Sequence, residues 1–158
     1  MYETRNDLQE SARKGLVRLL NDRLAEAIDL QLQAKHAHWN VKGPNFVGLH
    51  ELFDRVADAA REYVDLIAER GVALGGVAEG TLQTVSGRSK LPEYAVKSGE
   101  WTAHVEAMRA ALATFGGTAR LAIDEATDLK DADTADLFTE VSRGIDKLLW
   151  MVEAHVQK

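Results

Sequence analysis

Apolar side chains recur at steps of three and four along most of this chain, the period of a helix with one buried face. Leu16, Leu19, Leu20, Leu24, Ala27, Ile28, Leu32 and Ala34 predict a first amphipathic helix over roughly residues 7–39. Asn6 or Asp7 supplies its cap and Glu10 sits in its first turn. Gly43-Pro44 ends it, because proline cannot continue a helix and disfavours helix at the preceding residue. Leu49, Leu52, Phe53, Val56, Ala60, Tyr63, Val64 and Ile67 predict a second helix over roughly 46–73, stopped by Gly75-Gly76. A third begins near Ser98 or Gly99 and carries Trp101, Val105, Met108, Leu112, Phe115, Ala119 and Ile123. Gly116-Gly117 inside it marks a bend or a close approach by another helix. After a turn at 127–133, Leu137, Phe138, Val141, Ile145, Leu148, Leu149 and Val152 predict a fourth helix over roughly 133–156.

Residues 76–98 break the rhythm. They hold glycines, Ser, Thr and one Pro, with little periodicity. A connection this long crosses from one end of a bundle to the other. Leu91-Pro92-Glu93-Tyr94 is the expected short helix within it. No strand alternation or internal repeat is present. The expected fold class is therefore all-α: a four-helix bundle with a long crossover between helices 2 and 3, in one domain over 1–158.

Composition narrows the chemistry. Hydrophobic residues make up 46% of the 158, enough for a substantial core, and there is no cysteine. Disulfides, thiolate zinc sites and cysteine nucleophiles are excluded, so any metal must be held by histidine and carboxylate. A net charge of −6 suits a protein that attracts cations and disfavours a general nucleic-acid binder. No apolar run approaches membrane-spanning length and no leader pattern opens the chain, so a cytoplasmic protein with no membrane partner is expected.

The chemistry concentrates in residues 38–69. His50 and Asp54 are four apart, and so are Asp65 and Glu69; residues four apart stack on one helix face and can present two ligands to one ion. Asp54 and Asp65 are separated by roughly 16 Å of helix rise, so the two pairs cannot share an ion within one helix. Eleven residues nearly complete a whole number of turns, so all four side chains lie within an arc of roughly 100°. A second copy, antiparallel across a two-fold axis, brings His50 and Asp54 against the other chain's Asp65 and Glu69. The Gly43-Pro44 turn folds His38 back toward His50. Glu51, Asp58, Arg61 and Glu62 share the arc, so a plain solvated face is the competing reading.

The run AHWNVKGPNFVGLHELFD, then Asp65 and Glu69, then AERGVALGGVAEGT, resembles the Dps family, the DNA-protection-during-starvation miniferritins. DTADLFTEVSRGIDKLLW is similar to that family's last helix, and the resemblance covers nearly the whole chain. It implies a ferritin-like bundle and a ferroxidase site with His38, His50 and Asp54 from one subunit and Asp65 and Glu69 from its two-fold partner. It implies oxidation of Fe(II), preferentially by hydrogen peroxide over dioxygen, and storage of Fe(III) mineral in a hollow dodecamer. Trp39 resembles the tryptophan kept near that site, where it intercepts oxidising equivalents or packs an interface. Asp128, Asp131, Asp133 and Asp136 correspond to an acidic pore that draws in Fe(II), or to simple capping and helix-dipole placement. The chain contains no Glu-x-x-His, which independently argues against a di-iron site inside one bundle.

Other readings remain at this level. Zinc or manganese fits the same donors. A non-catalytic DNA-compacting or structural shell keeps the fold without the chemistry. DNA binding is expected to be weak or absent, because Arg5, Arg13 and Lys14 face Glu3, Asp7 and Glu10 at the start and no basic tail closes the chain. His36 points away from His38; Lys35 reads either as a residue near the interface or simply as a solvated side chain. His104 with Glu100 is a second i, i+4 pair without a third partner, and Trp150 reads as core or interface.

Overall fold

In the computed structural model, which describes residues 1–157, five helices and no strand are found among the described residues. They are α1 (Glu10–Asn40), α2 (Phe46–Ala73), α3 (Leu82–Arg88), α4 (Trp101–Asp128) and α5 (Ala132–Glu153). The four long helices form the bundle, and α3 interrupts the crossover between α2 and α4. Short turns make α1 pack on α2 and α4 on α5, and the α1–α4 and α2–α5 contacts close the bundle. Phe53, Phe115 and Phe138 fill the centre with Leu16, Leu20, Leu24, Leu30, Met108 and Leu112, all fully buried. Each such side chain contributes about 1.5–3 kcal/mol relative to exposure.

The helix boundaries have local causes. α2 ends in a Schellman turn: the Gly76 N–H reaches the Gly71 carbonyl at 2.9 Å and the Gly75 N–H the Val72 carbonyl at 2.9 Å. Gly75 takes φ +85°, which a side chain would strain. α1 begins three residues later than the pattern predicts. The Asn6 side chain accepts from the Leu8 N–H at 3.0 Å and so closes a turn ahead of the helix instead of capping it. α4 starts at Trp101, with the Glu100 side chain accepting from the Thr102 N–H.

The crossover corrects another expectation. The short helix is Leu82–Arg88, and residues 91–94 are not helical. Segment 91–98 instead lies as a strap across α1 and α4. The Gln33 amide donates to the Pro92 carbonyl at 3.0 Å, and Tyr94 reaches His104 at 2.8 Å. The first satisfies a backbone carbonyl that a helical turn would have satisfied locally, and the second anchors the Tyr94 side chain.

Gly116 is the point of close approach: a Cβ there would lie 3.2 Å from Ile145 Cγ2 on α5, while a Cβ at Gly117 would meet open space. α4 runs through both without interruption. At Gly144 the Tyr63 hydroxyl occupies the space of a side chain, so α2 and α5 touch there at the distance only glycine allows.

Buried charge is paired. Glu26 on α1 is fully buried and accepts from Arg23 Nη2 at 3.1 Å and Thr118 Oγ1 at 2.6 Å. Burial pushes its carboxyl above the usual carboxylate range. Arg70, near the end of α2, grips Asp131 with Nη2 at 2.7 and 2.8 Å from the two carboxylate oxygens, and its Nε donates to Thr134 Oγ1 at 3.0 Å. Among the described residues no helix is long and apolar enough to cross a membrane.

Candidate metal centre

The last turn of α1 and the first turns of α2 meet across a five-residue connection, 41–45. Its reversal depends on Gly43, whose φ of +121° is accessible to glycine alone without strain. The reversal stacks the His38 and His50 rings with centroids 3.7 Å apart and planes 22° from parallel. Each ring bonds to the other residue's backbone: His38 Nδ1 lies 2.7 Å from the His50 carbonyl, and His50 Nδ1 2.8 Å from the His38 carbonyl. A carbonyl can only accept, so both Nδ1 atoms carry the proton and both rings, when neutral, present an Nε2 lone pair. Locking Nδ1–H on a carbonyl is how proteins orient imidazoles that ligate through the other nitrogen.

Asp54, one turn further along α2, stands beside this pair, with Oδ1 at 3.9 Å from His38 Nδ1. It is half exposed and bound by Lys35 Nζ at 2.6 Å. The hydrogen bond from Lys35 holds its carboxyl below the usual carboxylate range. This ion pair was not legible beforehand: Lys35 lies three residues before His38, so the helical period places the two on one face, but nothing in the pattern names Asp54 as its partner. Lys35 also sits 5.8 Å above the Trp39 ring, and Trp39 itself is 69% exposed.

Asp65 and Glu69 lie farther along α2, both exposed. Asp65 borders an open recess of about 360 Å³ with Arg61, Glu62 and Val64. The structure therefore brings together His38, His50 and Asp54, and leaves Asp65 and Glu69 apart from them. Among the described residues no three histidine, aspartate or glutamate side chains converge tightly enough to hold an ion. The face around them carries unpaired apolar surface at Trp39, Phe46, Val47 and Leu66.

The remaining candidates separate cleanly. Asp128, Asp133 and Asp136 are exposed around the α4–α5 turn. Asp131 is buried and bound to Arg70 and Thr134. Burial works against ionisation of Asp131, but the hydrogen bonds from Arg70 and Thr134 and the Arg70 charge outweigh it and hold the carboxyl below its ordinary value. It fastens α5 to α2, with both carboxylate oxygens engaged by Arg70. His36 Nε2 is taken by the Val96 carbonyl at 3.2 Å. His104 uses both ring nitrogens, on Tyr94 and Ser98, and Glu100 caps α4, so that pair is structural. Trp150 is 60% exposed on the outer face of α5 and does not belong to the core.

Known proteins share this architecture end to end. A ferritin-like domain model matches residues 17–158. The DNA protection during starvation protein of Agrobacterium fabrum (strain C58) is 43% identical over 157 residues, spanning 99% of this chain and 97% of that one. The protein of the same name from Mycolicibacterium smegmatis is 32% identical over 150 residues, 95% of this chain and 81% of its own. Among solved structures, the tetragonal form of Mycobacterium smegmatis Dps superposes with a TM-score of 0.95 at 31% identity, covering 100% of this chain and 95% of that one. DpsA14 from Streptomyces coelicolor gives 0.94 at 34% identity, over 99% of this chain and 92% of that one. With a bundle of this topology, a crossover carrying one short helix and sequence likeness along its whole length, this chain belongs to the Dps family of ferritin-like proteins.

Proposed function

We propose that the chain is a ferroxidase and iron-storage subunit whose metal site is shared between two copies. One observation carries the reading: His38 and His50 are stacked, each fixed through Nδ1 on the other's carbonyl, which leaves both Nε2 atoms free to ligate, and Asp54 stands next to His38. Membership in a ferritin-like family supports iron as the metal, and Fe(II) is the substrate in this reading. Neutral imidazole binds Fe(II), and carboxylate favours the harder Fe(III), so this donor set binds the ion before oxidation and holds it after. Asp65 and Glu69 of a two-fold partner complete the set, and the exposed Trp39, Phe46, Val47 and Leu66 around the half-site are the apolar surface that partner covers.

The chain's own groups set the sequence of events. Before iron binds, Lys35 neutralises Asp54 and keeps the half-exposed carboxylate from standing unpaired. Fe(II) must displace the ammonium group. Each hydrogen peroxide then accepts two electrons, one from each of two Fe(II) ions, and the Fe(III) product moves to a mineral core inside a dodecamer. Removing peroxide and Fe(II) together protects against oxidative damage. Exposed Asp128, Asp133 and Asp136 supply the negative potential that draws Fe(II) to the shell.

The test is to add hydrogen peroxide anaerobically to the Fe(II)-loaded assembly and follow Fe(III) formation alongside a hydroxyl-radical spin trap. Fast oxidation with little trapped radical is the expected result. A rate no faster than in protein-free buffer, with no metal retained, would favour a non-catalytic DNA-compacting or structural shell. Zinc or manganese as the native ion would appear as metal retained at the site without peroxide turnover. A plasmid gel shift at physiological salt should show weak or no retention, because the chain carries a net charge of −6 and phosphate neutralisation needs clustered cations. Tight retention overturns that expectation.

Lys35→Met isolates the displacement step. A partly exposed ion pair is worth about 0.2–1 kcal/mol, so the variant should bind Fe(II) more tightly by anaerobic calorimetry, by a factor between roughly 1.4 and 5. Weaker binding would mean that Lys35 assists the ion and does not compete with it.

A further inference from the structure

The crossover strap ends in a buried histidine that the iron chemistry does not use. His104 lies in the first turn of α4 and is fully buried. Its Nε2 is 2.8 Å from the Ser98 carbonyl, which can only accept, so Nε2 carries the proton. Nδ1 of the neutral ring then accepts from the Tyr94 hydroxyl at 2.8 Å. One imidazole thus spans both halves of the strap, and burial lowers its basicity, which keeps that tautomer in place.

What the strap holds next matters for the site. The residue after Ser98 is Gly99, whose carbonyl accepts from the Lys42 N–H at 2.8 Å. Lys42 and Glu100 form an isolated parallel bridge. A Cβ on Gly99 would lie 2.8 Å from Lys42 Cδ and 3.2 Å from the Asn40 carbonyl, so the two backbones touch. Trp101 packs its ring against Gly43, 2.9 Å from where a Cβ would stand. Segment 98–101 therefore packs directly on the connection 41–45. That connection sets the register of the last turn of α1 on the first turn of α2, and this register is what stacks His38 on His50.

We infer that His104 is a positioning residue for the iron half-site, acting through Ser98–Trp101 and the Gly43 turn to fix the His38–His50 stack. The inference rests on the ferroxidase reading of that half-site. It assigns the crossover a task beyond spanning the bundle, and it explains why a histidine, with one donor and one acceptor at fixed angles, fills a sealed position beside Tyr94 and His36.

The test compares His104→Ala with His104→Gln in the assembled protein, with Co(II) as a probe whose ligand-field spectrum reports coordination geometry. His104→Ala should weaken Co(II) binding about tenfold and alter the spectrum, at the low end of what loss of an orienting partner costs a metal site. Glutamine offers an amide N–H for Ser98 and a carbonyl for Tyr94, so His104→Gln should restore both affinity and spectrum. Wild-type Co(II) binding in His104→Ala, with only a lower unfolding temperature, overturns the inference, and so does a glutamine variant that behaves like alanine. Should His104→Ala fail to assemble, Tyr94→Phe removes one of the two bonds and should weaken Co(II) about threefold; an unchanged affinity there also overturns it. A wild-type protein that binds no Co(II) at His38 and His50 sinks the ferroxidase reading itself, a distinct result.

Discussion

Fe(II) oxidation by peroxide falls at least about a hundredfold, to the protein-free rate, when His50 and Asp54 are both replaced by alanine, while the assembly persists. The magnitude follows from what is lost. Removing groups that merely orient ligands costs a metal site about 10–100-fold, and here two donors disappear together. The loss should not be structural. His50 and Asp54 are partly exposed on α2, and the core beneath them, Leu49, Leu52, Phe53 and Val56, is untouched. Chromatographic size and unfolding temperature should stay near wild type. Lys35 adds an internal control: without Asp54 it has no carboxylate at 2.6 Å, so its own charge then repels incoming Fe(II). An unchanged rate refutes the assignment of these two residues.

Arg70→Met should be the most destabilising single change of the polar framework, by roughly 3–5 kcal/mol, or roughly 10 °C in Tm. Arg70 supplies two bonds to Asp131 and one to Thr134, and Asp131 is 4% exposed. Methionine keeps the stem and strands the carboxylate without its charge partner. The pH dependence has a definite sign. Asp131 has its folded pKa held below the unfolded value, so the pair's contribution is complete above the ordinary aspartate pKa of about 3.9. It fades as pH falls through the folded pKa. The gap between wild type and Arg70→Met should therefore close in acid, seen by denaturant unfolding across that range. Asp131→Asn in the Arg70→Met background should recover part of the loss; a gap that widens in acid contradicts the pairing.

Why some of this could be read from the chain and some could not has a physical basis. Long helices announce themselves because burial repeats every three to four residues over many turns, and all four bundle helices match their predicted spans to within a few residues. The approach of His38 to His50 was legible from the Gly-Pro reversal between them, but Glu51, Asp58, Arg61 and Glu62 on the same arc left a plain solvated face as the competing reading. What the pattern missed depends on partners distant in sequence. Residues 91–94 look helical locally but become an extended strap because Gln33 and His104, about 10–60 residues away, supply its hydrogen bonds. Asp131 reads as one acidic residue among four until Arg70, on another helix, takes it out of the group. Lys35–Asp54 is a contact between two helices, and no single-helix period encodes it. Trp150 sits in an apolar run and still faces outward, since the run LLWM is longer than the buried stripe of α5.

The account rests on a site that no single chain completes. A crystal of the assembled protein soaked anaerobically in Fe(II), with anomalous scattering recorded at the iron edge, tests it directly. The account predicts iron within coordination distance of His38, His50 and Asp54 of one copy and Asp65 and Glu69 of another, on each side of a two-fold axis. Iron held wholly inside one bundle, for example at Glu26, or absent from the two-fold axis, would contradict it.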